Sequence, residues 1–293
     1  MSERIIIDAH VHLWEQQQGR INGLPVYGLG GGVSMFLGEP HQMMPPYLDD
    51  NKNTAERLLA NMDYARVNAC VVTQEYMDGN QDAYLLRVRD KYPDRFRICS
   101  LYEEKDDYRI EGFDGIKICA GRLKDPDLKN LLPVFQKAEA AGVFIGLDLA
   151  DGDAQTDDMQ FLIDACPDLR VTIGHFGMVT TKGWEKQIAL AQNKNVYIES
   201  GGLTWLFHKE FYPYPSAIDA ILTARDICGM EKLMWGSDYP RTMTDITYRS
   251  AVRFIEETTK LTEAEKDAFL GGNAERFYGF ESLKPLPERK NML

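Results

Sequence analysis

The sharpest chemical signal in the chain is Asp8-Ala9-His10-Val11-His12, at the end of an apolar run that begins at Ile5. On a β-strand, residues two apart face the same way, so His10 and His12 project together. Paired neutral imidazoles are good ligands for zinc and similar divalent metals. Taken alone the pair reads equally well as two polar residues on a half-exposed strand. Two further segments add to it. Ile173-Gly174-His175 ends another strand-like run with a histidine, and Gly236-Ser237-Asp238-Tyr239-Pro240-Arg241 follows a third with a carboxylate. The chain has five histidines, and three of them fall at such ends. Three imidazoles and a carboxylate meeting at one centre would form a mononuclear metal shell, with His10, His12, His175 and Asp238 as ligands. A metal held there would lower the pKa of bound water from 15.7 toward roughly 7. Asp238 could alternatively accept the proton of the attacking water, with His175 as its catalytic partner.

These residues need elements that bring them to one place. Short apolar runs alternate with amphipathic helical stretches, the pattern of βα units and a parallel sheet. Eight strands are expected, at about 5–12, 68–74, 96–101, 115–119, 143–148, 171–175, 195–200 and 232–238. A helix is expected at about 54–66 and another at about 126–141. Eight strands, nearly all separated by helical segments, favour a closed (β/α)8 (TIM) barrel over an open sheet. α/β barrels of about 250 residues are common as one domain, so residues 1–293 are read as a single domain. In such a barrel the chemistry sits at the carboxyl ends of the strands. Between Leu13 and Asn53 lies a stretch rich in Gly, Met and Pro, too long for a βα turn. Loops beyond about 12–15 residues are usually functional or disordered, so residues 14–53 are expected to be a long catalytic-face loop acting as a lid or substrate wall. The alternative is a subunit contact. The tail from about 262 reads as one helix followed by a frayed end at 281–293.

Composition narrows the partners. The chain has 293 residues, 44% hydrophobic and 27% charged, with a net charge of −12. That charge argues against nucleic acid and anionic membrane surfaces, which attract clustered Lys and Arg. Five scattered cysteines without a CxxC pair read as buried thiols of a reducing compartment. No signal peptide and no apolar stretch of membrane-spanning length is seen. A cytoplasmic enzyme acting on a small molecule is expected, as a monomer or a homo-oligomer.

The histidine pair on the first strand, the lone histidine on the sixth and the GSDYP-type eighth strand resemble the amidohydrolase-related (amidohydrolase 2 type) family of metal-assisted hydrolases and decarboxylases. Met44-Pro45-Pro46, Met62-Asp63, Lys91-Tyr92-Pro93-Asp94-Arg95-Phe96, Gly115-Ile116-Lys117-Ile118 and Gly272-Asn273-Ala274-Glu275-Arg276 add to the resemblance, which spans about residues 5–280. Many members of that family carry a histidine at the end of strand five. Here Asp148 stands in its place, either as a further metal ligand or as the mark of a lost one. The resemblance therefore implies one divalent ion, zinc or manganese, or else a metal-free lactonase in which the histidines polarise the carbonyl. It implies a hydrolase opening a small lactone, of a sugar acid or an aromatic ring-cleavage product. A non-oxidative decarboxylase on the same barrel is the alternative. A catalytically dead binding protein is disfavoured by the retained polar strand ends.

Substrate contacts are expected from Arg241, which could fork onto a carboxylate, and from Gln74, Lys117 and Glu199. Each has a bland counterpart in loop exposure, backbone satisfaction or ion pairing. The aromatic stretch Thr204–Tyr214 would suit either a ring-binding pocket or a dimer contact. His41 is read as a polar surface or lid residue, and His208 equally as an interface residue or a substrate contact.

Overall fold

The computed structural model describes residues 4–104 and 108–290. Strand β1 (Ile7–Val11) is buried throughout, and four short strands follow it: β2 (Gln18–Ile21), β3 (Leu24–Gly30), β4 (Val33–Phe36) and β5 (Glu39–Gln42). The repeating part then runs α1 (Ala55–Ala65), β6 (Ala69–Val72), α2 (Asp82–Lys91), β7 (Phe96–Leu101) and β8 (Gly115–Ile118). It continues through α3 (Leu132–Ala141), β9 (Phe144–Leu147), α4 (Thr156–Ala165), β10 (Val171–Ile173), α5 (Trp184–Ala189) and β11 (Val196–Glu199). Helices α6 (Leu203–Leu206) and α7 (Pro215–Cys228) precede β12 (Leu233–Met234), and α8 (Tyr248–Glu257), α9 (Glu263–Asp267) and α10 (Asn273–Tyr278) complete the chain.

Eight strands are ordered β1-β6-β7-β8-β9-β10-β11-β12, each parallel to its neighbours. Backbone bonds from Ala9 N to Trp235 O (2.9 Å) and from Asp238 N to His10 O (2.9 Å) join the two outer strands and close the barrel. Helices on one face and a filled interior on the other leave these strands no exposed side, which is why they read as continuous apolar runs. Ile7, Ala9, Val71, Cys99, Phe144 and Met234 pack inside the barrel with Phe277 and Tyr278 of α10, which plugs its base.

The β1 strand departs from strict alternation. Its register against β6 shifts between Asp8 and Val11. Asp8 faces outward to Tyr248 on α8 (2.7 Å), yet His10 turns inward beside Glu199 of β11. A bulge that re-aims a side chain is a recurrent feature beside active sites. Here it lets one strand supply both Ile7 and Ala9 to the plugged base and His10 and His12 to the mouth.

The expected 14–53 loop is instead a folded flap. β2 to β5 form an antiparallel meander, order β2-β3-β4-β5. Its outer edge is sealed to the barrel: Gln18 N bonds Asp78 O (3.2 Å) and Arg20 N bonds Tyr76 O (2.9 Å). The seam is tight at Gly19, where a Cβ would lie 2.1 Å from the Tyr76 carbonyl. At the other end Asn53 donates to His12 O (2.6 Å), tying the return of the segment to β1 just ahead of α1. Beyond α10 the tail carries no regular element to residue 290; Lys284 O accepts from Asn68, and Arg289 pairs with Asp63 (3.3 Å). Residues 291–293 of that tail, like 1–3 at the start, lie outside the described residues. Among the described residues no helix is long and apolar enough to cross a membrane.

Candidate active site

Six of the eight barrel strands deliver a titratable side chain to the carboxyl-end mouth or its approach. From β1 come His10 and His12; from β8, Lys117; beyond β9, Asp148; beyond β10, His175; at the end of β11, Glu199; beyond β12, Asp238. Gly174 makes the crowding possible, since a Cβ there would lie 2.1 Å from Asp148 Oδ1 and 2.7 Å from Glu199 Oε1.

His10 is wholly buried at the centre. Its Nδ1 meets Glu199 Oε1 at 2.7 Å, and Glu199 also accepts from the Gly201 and His175 backbone N–H groups at 2.6 and 3.2 Å. Its Nε2 lies 3.0 Å from His12 Nε2 and 3.7 Å from Asp238 Oδ1. His12 Nε2 is 3.1 Å from the same Asp238 oxygen, while the other, Oδ2, accepts from Trp205 Nε1 at 2.6 Å. His175 bonds the Gly201 carbonyl through Nδ1 (2.9 Å) and points Nε2 toward Asp148, 3.7 Å away. Lys117 Nζ donates to Asp148 Oδ1 at 2.7 Å.

Burial and charge set the protonation states. Burial lowers the His10 pKa, so the central ring is neutral. Burial also opposes charge on His12, but the Asp238 and Asp78 carboxylates outweigh it and raise His12 to about 9. Asp238 would be pushed up by burial; the His12 bond and the fields of all three imidazoles hold it down at about 2. Against the same burial, Lys117 and the histidines keep Asp148 well below the usual carboxylate range.

The donor set fits a divalent cation. Ligand atoms of His10, His12 and Asp238 lie within 4.8 Å of one another, as do those of His10, Asp148 and His175. With Nδ1 of His10 and His175 turned to oxygen partners, both Nε2 atoms face the centre, the arrangement that orients metal-ligating histidines. Two imidazole nitrogens 3.0 Å apart beside a carboxylate need a shared proton or a cation between them. Nitrogen and oxygen donors of this kind suit zinc or manganese.

Above the cluster opens a cavity of about 620 Å³. His12, Asp148, His175, Asp238 and Arg241 are on its wall, with Trp205, Glu75, Asp78 and Arg122 beside them and Phe36, Met43 and Met44 of the flap region above. The expected ligands thus converge. The expected substrate contacts do so only in part. Arg241 reaches the cavity but donates to the Gln42 and Met43 carbonyls (3.4 and 3.2 Å) and stacks over Trp205. Gln74 is a buried strut: its amide nitrogen donates to Asp82 and the Cys99 carbonyl, and its oxygen accepts from Gln81 N. Glu199 lies behind the histidines with both oxygens taken, and Lys117 is committed to Asp148. His208 is exposed and bonds only the Trp205 carbonyl, while His41 is an exposed residue of β5. Trp205 and Asp78 were not singled out by sequence reasoning. Trp205 lay within a stretch whose aromatic content suited two roles, and Asp78 sits in a turn where an acid is ordinary.

Similar proteins share this barrel. A candidate 2-pyrone-4,6-dicarboxylic acid hydrolase from Pseudomonas putida is 20% identical, covering 96% of this chain and 100% of its own, with a TM-score of 0.68. An amidohydrolase from Burkholderia multivorans with bound zinc is 16% identical over 94% of this chain and 99% of its own, with a TM-score of 0.67. A 5-carboxyvanillate decarboxylase from Novosphingobium aromaticivorans, complexed with manganese, is 17% identical over 79% of this chain and 82% of its own, with a TM-score of 0.57. No protein of curated function matches the sequence. The model of the amidohydrolase family matches residues 7–280, nearly the whole span of the barrel, and the chain belongs to that family.

Proposed function

We propose that the protein is a cytoplasmic hydrolase that opens a small lactone ring by attack of activated water. The observation that carries this reading is Asp238: an ionised carboxylate on the cavity wall, fixed through one oxygen by His12 and through the other by Trp205. Such a group is placed to take a proton from water as the water oxygen bonds to the lactone carbonyl carbon. When the tetrahedral centre collapses, the ring C–O bond breaks, and the proton on Asp238 passes to the departing alkoxide. The product is the hydroxy acid.

His10, His12, His175 and Asp238 would hold one divalent ion, zinc or manganese, with Asp148 as a further candidate ligand. When bound, that ion supplies Lewis-acid polarisation of the carbonyl and a more acidic water. In a metal-free variant of the same chemistry, His12 and His175 on the cavity wall would polarise the carbonyl directly. Glu199 keeps His10 turned toward the centre, and Lys117 holds Asp148 ionised. The five free thiols support a reducing compartment. The candidate 2-pyrone-4,6-dicarboxylic acid hydrolase from Pseudomonas putida supports a pyrone-type lactone as substrate; Glu75 and Arg122 on the cavity wall would suit the hydroxyls of a sugar-acid lactone.

The test is a panel of sugar-acid lactones, pyrone lactones and hydroxylated aromatic acids, followed by proton release and by carbon dioxide. Ring opening with release of acid, lost in Asp238→Asn, is the expected result. Carbon dioxide from an aromatic acid, with every lactone left intact, would overturn it in favour of a decarboxylase.

A further inference from the structure

The ring nitrogens of His10 and His175 that face away from the site have close oxygen partners, Glu199 at 2.7 Å and the Gly201 carbonyl at 2.9 Å. His12 is built otherwise. Among the described residues its Nδ1 is buried with no hydrogen bond, and the nearest carboxylate is Asp78, with Oδ2 3.6 Å away. Asp78 is itself buried, 3% exposed, on the turn after β6 that is sealed to the flap by the Gln18 backbone bond. Its other oxygen accepts from Gln17 Nε2 at 3.2 Å, and the Gln17 carbonyl oxygen accepts from Ser34 Oγ of β4 at 2.6 Å. Gln17 and Ser34 are buried as well. A polar row therefore runs Ser34–Gln17–Asp78–His12–Asp238, from the interior of the flap to the cavity floor, hydrogen-bonded at every step except the 3.6 Å approach of Asp78 to His12.

Five buried polar side chains in a row are costly unless each answers a neighbour. Gln17 and Ser34 satisfy each other and one oxygen of Asp78. The second Asp78 oxygen is left facing an imidazole nitrogen that no other group serves. A carboxylate behind a ligating histidine fixes the ring's orientation and the nitrogen that carries the proton.

We propose that Asp78 is the positioning residue of His12, held in place by Gln17 and Ser34 of the flap. The flap then does more than roof the cavity: it sets the direction in which His12 Nε2 points. On the reading that His12 holds the divalent ion, the flap also tunes that ion's affinity. Glu199 performs the corresponding task for His10 from within the barrel.

The test uses the full chain labelled with nitrogen-15 in its histidines, metal-free and titrated with Co²⁺ as a visible probe. In Asp78→Asn the His12 ring resonances shift while those of His10 stay in place. Co²⁺ affinity falls by about 10–100-fold, kcat falls more than KM rises, and Asp78→Glu regains part of the loss. Ser34→Ala, which removes one hydroxyl at the far end of the row, moves the same readouts in the same direction by less. It also carries the test if Asp78→Asn fails to fold. Unchanged His12 resonances and Co²⁺ affinity, with only KM raised, would overturn the proposal and make Asp78 a substrate contact. Failure of the unaltered protein to bind Co²⁺ would sink the metal reading alone, since the His12 resonances of metal-free protein still decide the role of Asp78.

Discussion

On the barrel side of the site, buried His10, Glu199 and Lys117 and partly exposed His175 and Asp148 form a network in which donors and acceptors answer one another at 2.6–3.2 Å, apart from the longer His175–Asp148 approach. On the cavity side, His12, Asp238 and Asp78 meet at 3.1–3.6 Å and share the wall with substrate space. In the first group each carboxylate and each histidine Nδ1 has a close partner; in the second, His12 Nδ1 has no hydrogen bond among the described residues and faces one Asp78 oxygen at 3.6 Å. A buried charge network fixes positions only when nearly every member is satisfied, whereas groups that touch substrate must keep capacity in reserve. The contrast predicts that the two sides fail differently when altered.

The largest expected effect is on the cavity side. Asp238→Asn removes the base and one oxygen donor while keeping the shape. It lowers kcat/KM on the substrate found by the panel by about a hundredfold to ten-thousandfold, with the denaturant midpoint little changed. A comparable loss of folding stability would erase the distinction between the sides. On the barrel side, Lys117→Met removes the buried ammonium that pairs with Asp148 and leaves that carboxylate, partly exposed on the cavity wall, without its partner. Breaking a fully buried pair costs about 3–5 kcal/mol; the loss here is expected below that ceiling but above that of Asp238→Asn, read from urea unfolding.

The protonation of His12 gives a pH signature. With its pKa raised to about 9 in the metal-free protein, His12 carries a proton at neutral pH that an incoming ion must displace. Metal affinity is expected to rise by about tenfold per pH unit as pH climbs toward 9, then to level off. A flat dependence over that range would place His12 outside the ligand set. The smallest effect belongs to Arg241→Ala. Its guanidinium spans the flap and Trp205 at the cavity rim, so losing it costs about 0.5–1.5 kcal/mol. That loss is expected as a few-fold rise in KM without a change in metal affinity.

The barrel was legible because parallel strands covered on both faces must be apolar along their length, and all eight such runs became strands. The cluster of histidines and Asp238 was legible because His10, His12, His175 and Asp238 sit at the ends of those runs. The flap was not. Gly28-Leu29-Gly30-Gly31-Gly32 suggests a loop, and β5 is exposed at every residue, so no alternation marks it as a strand. What holds the meander is its ladder and its seam to the turn after β6, contacts remote in sequence. The partners of Gln74 and Glu199 were hidden for the same reason. A strand-end polar residue reads identically whether it faces a ligand or a histidine two strands away. Lys117 and Asp148 each carried an ion-pairing or ligand reading, but nothing in their spacing joined them to each other.

The glycine seam between β2 and the Tyr76–Gly79 turn has a consequence for which molecules enter. With no clearance for a single methyl group at Gly19 and backbone bonds on either side of it, the two surfaces cannot slide past one another. Along that edge the opening above the cluster is therefore expected to keep a fixed wall, like one side of a sieve's mesh. Turnover across a homologous series of substrates should stop abruptly at one molecular width instead of tapering with size.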